Sequence, residues 1–285
     1  MLSLGPLAVW YPMDRLDAPG ARRLVSMVEA LGYDALWYPE SRGYESLSLA
    51  SFLLGAGSTL KIGSSIASIY ARDAFAARRG LIGLTELYGP RFILGLGVSH
   101  APMVERLRGQ SYQAPLPAMR TYLEALFKDQ DSADWPVVIA ALGPKMLALA
   151  GRMTRGAIPY NVIPAHTAQA RAALGPGKWL SVEQKVALET DPVRARALGR
   201  AELARYLVLA NYRNAWLGMG FTEADLAEGG SDRFIDAMVL WGDADTLRRK
   251  LAEHRAAGAD QICLQPVHAE GDLATRDRIL AALAT

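Results

Sequence analysis

The stretch RFILGLGVSH, residues 91–100, ends in two glycines, a serine and a histidine that follow an apolar run. The apolar run predicts a buried strand, and packing does not require the polar residues after it. Glycines at a strand end let a flat ring or a phosphate approach the backbone, and an imidazole can transfer a proton near neutral pH. We therefore predict that His100 is catalytic and that Gly97 and Ser99 bind a cofactor. The alternatives are a glycine pair that packs inside the fold and an exposed loop histidine.

Glu40 and two serines stand near the ends of two further apolar runs, ALWYPE and LKIGSSIAS. The carboxylate of Glu40 could accept a hydrogen bond from a ring N–H or act as an acid or base, and we include it among the catalytic candidates. It could equally be an ion-pair partner at a strand end. Ser64 and Ser65, near the end of the second of these runs, are further candidate site residues.

A phosphate site is predicted where a fifth apolar run gives way to a helical pattern, in the sequence ALGPKM at 141–146. Backbone N–H groups at a helix N-terminus bind phosphate, and a lysine adds positive charge. The alternative is an ordinary strand-to-helix turn. The residues concerned are Ala141, Leu142, Gly143 and Lys145.

Composition excludes several classes of protein. The net charge of +2 gives no case for a nucleic-acid partner, and the one cysteine, Cys263, cannot form a disulfide within the chain. Cys263 lies in an apolar run, which is typical of a small core residue. The His, Cys, Asp and Glu residues show no metal-ligand spacing, so we expect no metal. The sequence shows no membrane span and no basic leader, so we expect a soluble cytoplasmic protein.

These candidates need a fold that brings strand ends together. Alternating apolar and helical patterns predict eight strands, at 6–11, 33–40, 60–70, 91–98, 136–143, 156–163, 178–189 and 260–267. Eight such units fit an α/β fold of the (β/α)8 TIM-barrel type, in which chemistry lies at the C-terminal ends of the strands. A doubly wound open sheet is the alternative. We expect one domain over 1–285, with a less regular block at 211–232 as an insertion or lid.

Five stretches together resemble the luciferase-like monooxygenase superfamily, and specifically its branch of coenzyme F420-dependent oxidoreductases. They are GYDALWYPE, IYARDAFAA, YGPRFILGLGVSHAP, AALGPKMLALAGR and GDADTLRRKLAEHRAAGADQICLQPV. Each motif alone is weak, but their order and spacing are fairly specific and span nearly the whole chain. The resemblance implies the same (β/α)8 fold, and it is the basis for expecting a homodimer.

The resemblance also implies roles for single residues. In F420-dependent relatives a non-prolyl cis peptide bond lies behind the deazaflavin ring, and the matching place here is Ser64–Ser65. Glu40 would face the polar edge of the ring, but the histidine that follows it in relatives is Ser41 here. His100 stands where a relative has a glutamate, so an imidazole takes the acid/base position.

The phosphate-binding turn of the relatives falls on 141–143, where Leu142 replaces one glycine. The residues that bind a sugar phosphate in one relative have no clear match. The resemblance thus implies an F420-dependent oxidoreductase that passes a hydride between the deazaflavin and an unidentified small organic substrate. The deazaflavin ring would lie against Ser64, Ser65 and Gly97. The alternatives are an FMN-dependent monooxygenase of the same superfamily and a non-catalytic protein that binds flavin or deazaflavin.

Overall fold

The computed structural model describes residues 2–128 and 135–284. Within these residues strands alternate with helices, as the apolar pattern predicts. The strands, all parallel to their neighbours, are β1 (Leu7–Trp10), β2 (Ala35–Tyr38), β3 (Lys61–Ser64), β4 (Ala67–Ser68), β5 (Phe92–Gly97), β6 (Val137–Ile139), β7 (Gly156–Ala157), β8 (Trp179–Leu188), β9 (Val239–Gly242) and β10 (Gln261–Pro266).

Helices pack against the outer face of this sheet and bury its apolar side chains. They are α1 (Ala18–Ala30), α2 (Ser46–Ala56), α3 (Ala74–Tyr88), α4 (Pro115–Leu126), α5 (Pro144–Met153), α6 (Pro164–Leu174), α7 (Pro192–Leu207), α8 (Ala210–Gly218), α9 (Glu223–Leu226), α10 (Asp232–Met238), α11 (Ala244–Ala256) and α12 (Leu273–Leu283). Aspartate side chains cap the N-termini of several of these helices. Asp17, Asp73 and Asp243 accept hydrogen bonds from N–H groups in the first turns of α1, α3 and α11.

The strands close into a ring. β1 pairs with β2 on one side and with β10 on the other, and β10 also pairs with β8. The ring therefore runs β1, β2, β3 with β4, β5, β6, β7, β8, β10 and back to β1. This is the predicted (β/α)8 barrel, and each of the eight predicted strands contributes to it.

β9 is a strand that the sequence analysis did not predict. It pairs with the end of β8, beyond the residues at which β7 pairs with the start of β8, and so lies outside the ring. Its sequence, VLWG, follows α10 without a break. Four apolar residues that continue a helix carry no strand periodicity, which is why the pattern did not reveal it.

The predicted third strand, 60–70, is interrupted in the structure. β3 and β4 both pair with β5, and the stretch that joins them has one residue more than the facing stretch of β5. An extra residue reverses which side chains face inwards. Ile62 therefore packs outside, under the helices, whereas Ile66 packs inside the barrel.

A second hydrophobic core lies beside the barrel. The block 211–232, expected to be irregular, forms α8, α9 and the start of α10, and α9 begins at a capping box made by Thr222 and Asp225. Helices this short repeat the apolar pattern too few times to be recognised. A role as a lid stays a prediction. The second core includes Leu203, Tyr212, Trp216, Phe221, Leu226, Phe234, Ile235 and Met238.

Among the described residues, no helix is both long and apolar enough to cross a membrane. In the same two ranges, no three His, Cys, Asp or Glu side chains are grouped as a metal site. Cys263 is buried in the barrel interior, as expected of a small core residue.

Candidate active site

The predicted site residues come together because the barrel strands are parallel. Parallel strands point their carboxyl ends to the same mouth of the barrel. Glu40, Ser65, His100 and Gly143 follow β2, β3, β5 and β6 respectively. The structure therefore places the predicted residues at one end of the molecule, but their contacts differ in kind.

Glu40 has hydrogen-bond partners on both carboxylate oxygens. It pairs with Arg72 and accepts from the backbone N–H groups of Ser68 at 2.8 Å and Ser46 at 3.3 Å. The Glu40 and Arg72 side chains are only 3% and 8% exposed. This arrangement favours a role in fixing the loops after β2 and β4, and the catalytic role of Glu40 stays a prediction.

Ser64 lies in the barrel wall, where its side chain hydrogen-bonds with the backbone of the neighbouring strand β5. Its Oγ donates to the C=O of Gly95 at 2.8 Å and accepts from the N–H of Gly95 at 2.9 Å. Ser64 is fully buried and its single hydrogen-bond donor is used within the barrel wall, so its contact with a cofactor stays a prediction. The role of Gly95 follows from the same contact, because a side chain there would collide with Ser64.

Replacing Gly95 with alanine is expected to lower the free energy of unfolding by about 3 kcal/mol, at the upper end of the usual cost of overpacking. The added Cβ would lie 1.9 Å from the backbone oxygen of Ser64, and backbone cannot rotate away. Urea denaturation measures the change. Gly143→Ala is the control, because a Cβ at Gly143 meets no atom of residues 2–128 or 135–284 within 4 Å. Equal stability of the two variants would contradict the conclusion that Gly95 is needed to avoid a collision with the backbone of Ser64.

The cis peptide bond lies at Ser65–Ile66, one residue after the expected place at Ser64–Ser65. Ser64 is the last residue of β3 and faces Tyr38 of β2. The N–H of Ser65 then donates to the C=O of Tyr38 at 2.6 Å. This pairing keeps Ser64 in regular strand geometry, so the departure from it comes one peptide later.

Gly97 ends β5 and makes room for Ile66. A Cβ on Gly97 would lie 2.4 Å from Cγ1 of Ile66. Ile66 packs with Trp10 and Tyr160 in the barrel interior and remains partly exposed. An apolar side chain, rather than bare glycine backbone, therefore covers this part of the mouth.

Ser99 and His100 join β5 to a short π-helical turn at Met103–Leu107. Ser99 has a left-handed conformation with φ 57°, and its C=O accepts from the hydroxyl of Tyr112 at 3.4 Å. The C=O of His100 accepts from two N–H groups after it, at 2.9 and 3.0 Å. These bonds fix the backbone that carries the imidazole.

The imidazole of His100 lies against the second core. Its ring centroid is 5.7 Å from that of Tyr212. Burial lowers the pKa of His100 below its ordinary value of 6.5, and the nearby side chain of Asn211 opposes this shift. The imidazole is therefore neutral near neutral pH and able to accept a proton.

The turn at 141–143 leads from β6 into α5. The C=O of Leu142 accepts from Nε2 of His166 at 2.7 Å, which anchors the turn. Gly143 is the N-cap of α5 without a side-chain cap, and both Gly143 and Lys145 are exposed. A helix N-terminus open to solvent, with a lysine in its first turn, has the composition of a phosphate site.

The interior of β8 carries an ion pair that the sequence analysis missed. Nζ of Lys185, fully buried, donates to Oε1 of Glu183 at 3.1 Å and to Oδ1 of Asn161 at 2.6 Å, and lies 3.9 Å from the ring centroid of Tyr160. Burial raises the pKa of Glu183 and lowers that of Lys185, while their attraction opposes both shifts. The signal was two charges at alternate positions of an apolar strand, which share one face.

A hydrogen-bonded chain holds Tyr160 in the mouth. Tyr206 donates to the hydroxyl of Tyr160 at 2.6 Å, and Tyr160 donates to Oε1 of Gln265 at 2.7 Å. Nε2 of Gln265 donates to Glu202 at 2.8 Å. Burial raises the pKa of both tyrosines, so both phenols stay protonated near neutral pH. The ring of Tyr160 is thereby fixed beside Trp10, with centroids 5.0 Å apart.

Two buried N–H groups near Tyr160 have no hydrogen-bond partner within 2–128 and 135–284. They are Nε1 of Trp10, at the end of β1, and Nδ2 of Asn161, after β7. Their residues are 4% and 3% exposed. An unsatisfied buried donor costs about 1–3 kcal/mol, and a ligand atom or an ordered water usually supplies the acceptor. Both groups are therefore candidates for contact with a bound molecule.

Comparison with known proteins gives relatives for this chain. The family model described as luciferase-like monooxygenase matches residues 8–128, which confirms the resemblance seen in the motifs. Among curated proteins, a candidate coenzyme F420-dependent oxidoreductase of Mycobacterium tuberculosis is 24% identical over 87% of this chain and 90% of its own.

Solved structures share the fold. An F420-dependent secondary alcohol dehydrogenase in complex with an F420–acetone adduct superposes with a TM-score of 0.76 at 13% identity, covering 99% of this chain and 100% of that one. The oxygenating constituent of 3,6-diketocamphane monooxygenase from Pseudomonas putida, in complex with FMN, has a TM-score of 0.72 at 13% identity, covering 99% and 97%. These superpositions establish the common barrel. The low sequence identities leave the choice of cofactor open.

Proposed function

We propose that this chain, a luciferase-like barrel protein, is an F420-dependent oxidoreductase that passes a hydride between the deazaflavin and a small organic substrate. The observation that carries this choice is the match to the Mycobacterium tuberculosis relative along most of the chain. The structural relative that holds an F420–acetone adduct supports it.

The barrel mouth has features that suit a flat ring with carbonyl oxygens along one edge. Ile66, packed over Gly97, provides an apolar surface, and the buried N–H of Trp10 has no acceptor in the described part of the chain. Apolar lining with a few placed polar groups is the usual composition of a cofactor site. When bound, the deazaflavin would supply the hydride chemistry, while the protein supplies orientation and polarity.

We assign the cofactor phosphate to the turn after β6. The open N-terminus of α5 offers backbone N–H groups at Gly143, and Lys145 adds a charge. The anchoring bond between Leu142 and His166 would keep the turn in place while an anion binds.

His100 is the residue that we assign to proton transfer. A substrate alcohol that becomes a carbonyl loses a hydride and a proton, and the neutral imidazole of His100 would take that proton. In the reverse direction the imidazolium would return it to the carbonyl oxygen. We assign Glu40 to positioning, because Arg72 and two backbone N–H groups already occupy its carboxylate.

Calorimetric titration of the purified protein with F420 and with FMN tests the proposal. We expect F420 to bind with micromolar or lower Kd, and FMN to bind far more weakly. Hydride transfer from reduced F420 is then measured over a panel of aldehydes, ketones and enones, and from alcohols to oxidised F420. Micromolar binding of FMN without binding of F420 would replace the proposal with an FMN-dependent monooxygenase.

The FMN-dependent alternative has one specific observation in its favour, the shared barrel with an FMN-bound monooxygenase. A non-catalytic cofactor-binding protein is the second alternative, and tight F420 binding without any hydride exchange would favour it. We further propose a homodimer, from the resemblance alone, and small molecules as partners; the cytoplasmic location stays an expectation. Light scattering on the purified protein tests the dimer.

A further inference from the structure

Asn161 is held at three of its four polar groups. Its N–H donates to Oε2 of Glu183 at 3.1 Å, and its C=O accepts from Nε1 of Trp216 at 3.1 Å. Its Oδ1 accepts from Nζ of Lys185 at 2.6 Å. The remaining group, Nδ2, is buried and has no hydrogen-bond partner among the residues that the structure describes.

The ion pair on β8 decides which end of the Asn161 amide is free. An ammonium group can only donate hydrogen bonds, so Lys185 requires the oxygen of the amide and turns the NH2 group away. Glu183 holds the backbone of Asn161, whose φ of 59° is a left-handed conformation that asparagine tolerates better than most residues. Asn161 is thereby a donor of fixed direction.

Stability alone gives no reason to keep this ion pair inside the barrel. Replacing a buried ion pair with apolar residues of similar volume is often neutral or stabilising, because removing two charges from water costs as much as their attraction returns. Glu183 and Lys185 are 1% exposed or less. The ion pair can serve another purpose that stability does not explain, which is to orient the side chain of Asn161.

We propose that Asn161 binds the cofactor ring, with Nδ2 donating to one of its carbonyl oxygens, and that Glu183 and Lys185 position it. Asn161 directly follows Tyr160, whose ring packs beside Trp10 in the mouth. The inference rests on the proposed function only in requiring a flavin or deazaflavin ring. Both rings carry such carbonyl oxygens, so it holds for F420 and for FMN.

Titration of Asn161→Asp and Asn161→Gly with F420, or with FMN if the wild type prefers it, tests the binding role. Aspartate keeps the size and the acceptor for Lys185 but removes the donor, and glycine keeps the positive φ. We expect the Kd to rise about 3- to 10-fold for the glycine variant, the worth of one hydrogen bond, and further for the aspartate variant. Asn214→Asp, the same change at an exposed site, is the control.

The positioning role is tested by repeating Asn161→Gly in a Lys185→Met/Glu183→Gln background. Without the ammonium group the amide can turn over, so its loss is expected to raise the Kd by a smaller factor than in the wild type. Equal factors in the two backgrounds would overturn the positioning role. Thermal melting of each variant confirms that the barrel is intact.

Unchanged binding by both Asn161 variants would overturn the inference and assign Nδ2 to an ordered water only. A wild-type protein that binds neither F420 nor FMN would instead overturn the proposed function, and the inference with it. A rise in Kd confined to the Asn161 variants, with Asn214→Asp unchanged, supports the inference.

Discussion

His100→Ala is expected to lower turnover by about 100-fold or more while the Kd of the cofactor stays nearly unchanged. That factor is the usual cost of losing a general acid or base. The prediction follows from the position of the imidazole after β5 and from its lowered pKa, which leaves a neutral base near neutral pH. Steady-state kinetics measure turnover, and calorimetry measures cofactor binding. An alanine variant with wild-type turnover would remove His100 from the mechanism.

The pH dependence separates a proton-transfer role from a packing role. Because the folded pKa of His100 lies below 6.5, alcohol oxidation should be constant above that pH and fall as the imidazole becomes protonated. Asn211→Ala is the matched variant. The side chain of Asn211 raises the pKa of His100, so its removal should move the acid limb to lower pH while most of the turnover remains. An unmoved limb in Asn211→Ala would assign that limb to another group.

Lys185→Met is expected to lower the free energy of unfolding by about 3–5 kcal/mol, the cost of leaving one member of a buried ion pair without the other. The carboxylate of Glu183 would remain buried and would keep the backbone N–H of Asn161 as a partner. Lys185→Met/Glu183→Gln removes both charges and keeps an acceptor for that N–H. It should recover most of the loss in urea denaturation.

The deficit of Lys185→Met should grow as pH rises. Burial raises the folded pKa of Glu183, and loss of the lysine removes the attraction that opposed this shift. A carboxyl with a raised folded pKa loses stability as pH rises through that pKa. Denaturation at about pH 5 and about pH 8 should therefore show the smaller deficit at about pH 5. A deficit independent of pH would mean that lost packing, rather than charge, causes it.

The barrel could be predicted from the sequence because alternation is a local property. Eight apolar runs separated by helical patterns appear in the printed sequence, and their number selects the ring. The periodicity of the third strand did not reveal its interruption, and the resemblance placed the cis bond one residue before its position at Ser65–Ile66. The interruption depends on pairing with Tyr38 and on the register of β5, which are contacts between distant parts of the chain.

The candidate site was predictable only in part for the same reason. Residue type and position after a strand selected His100 and Gly143 as candidates, and their roles stay predictions. Whether a carboxylate is free depends on tertiary partners, and nothing near Glu40 in the sequence reveals that Arg72 will pair with it. The charges of β8 were visible as a pattern. Their meaning required the contact of Lys185 with Asn161.

The order in which the ring closes has a consequence for synthesis of the protein. The first strand, β1, pairs with β10, and Leu7 lies opposite Ile262. The hydroxyl of Tyr11 likewise hydrogen-bonds with His268, which is nearly a whole chain length away in the sequence. Because the ribosome makes the chain from its N-terminus, most of the chain emerges before Ile262 and His268 exist. Until then β1 and β8 are open sheet edges, which readily pair with other chains. Pairing with β10 closes both edges, so aggregation through β1 and β8 is expected to be greatest before β10 emerges.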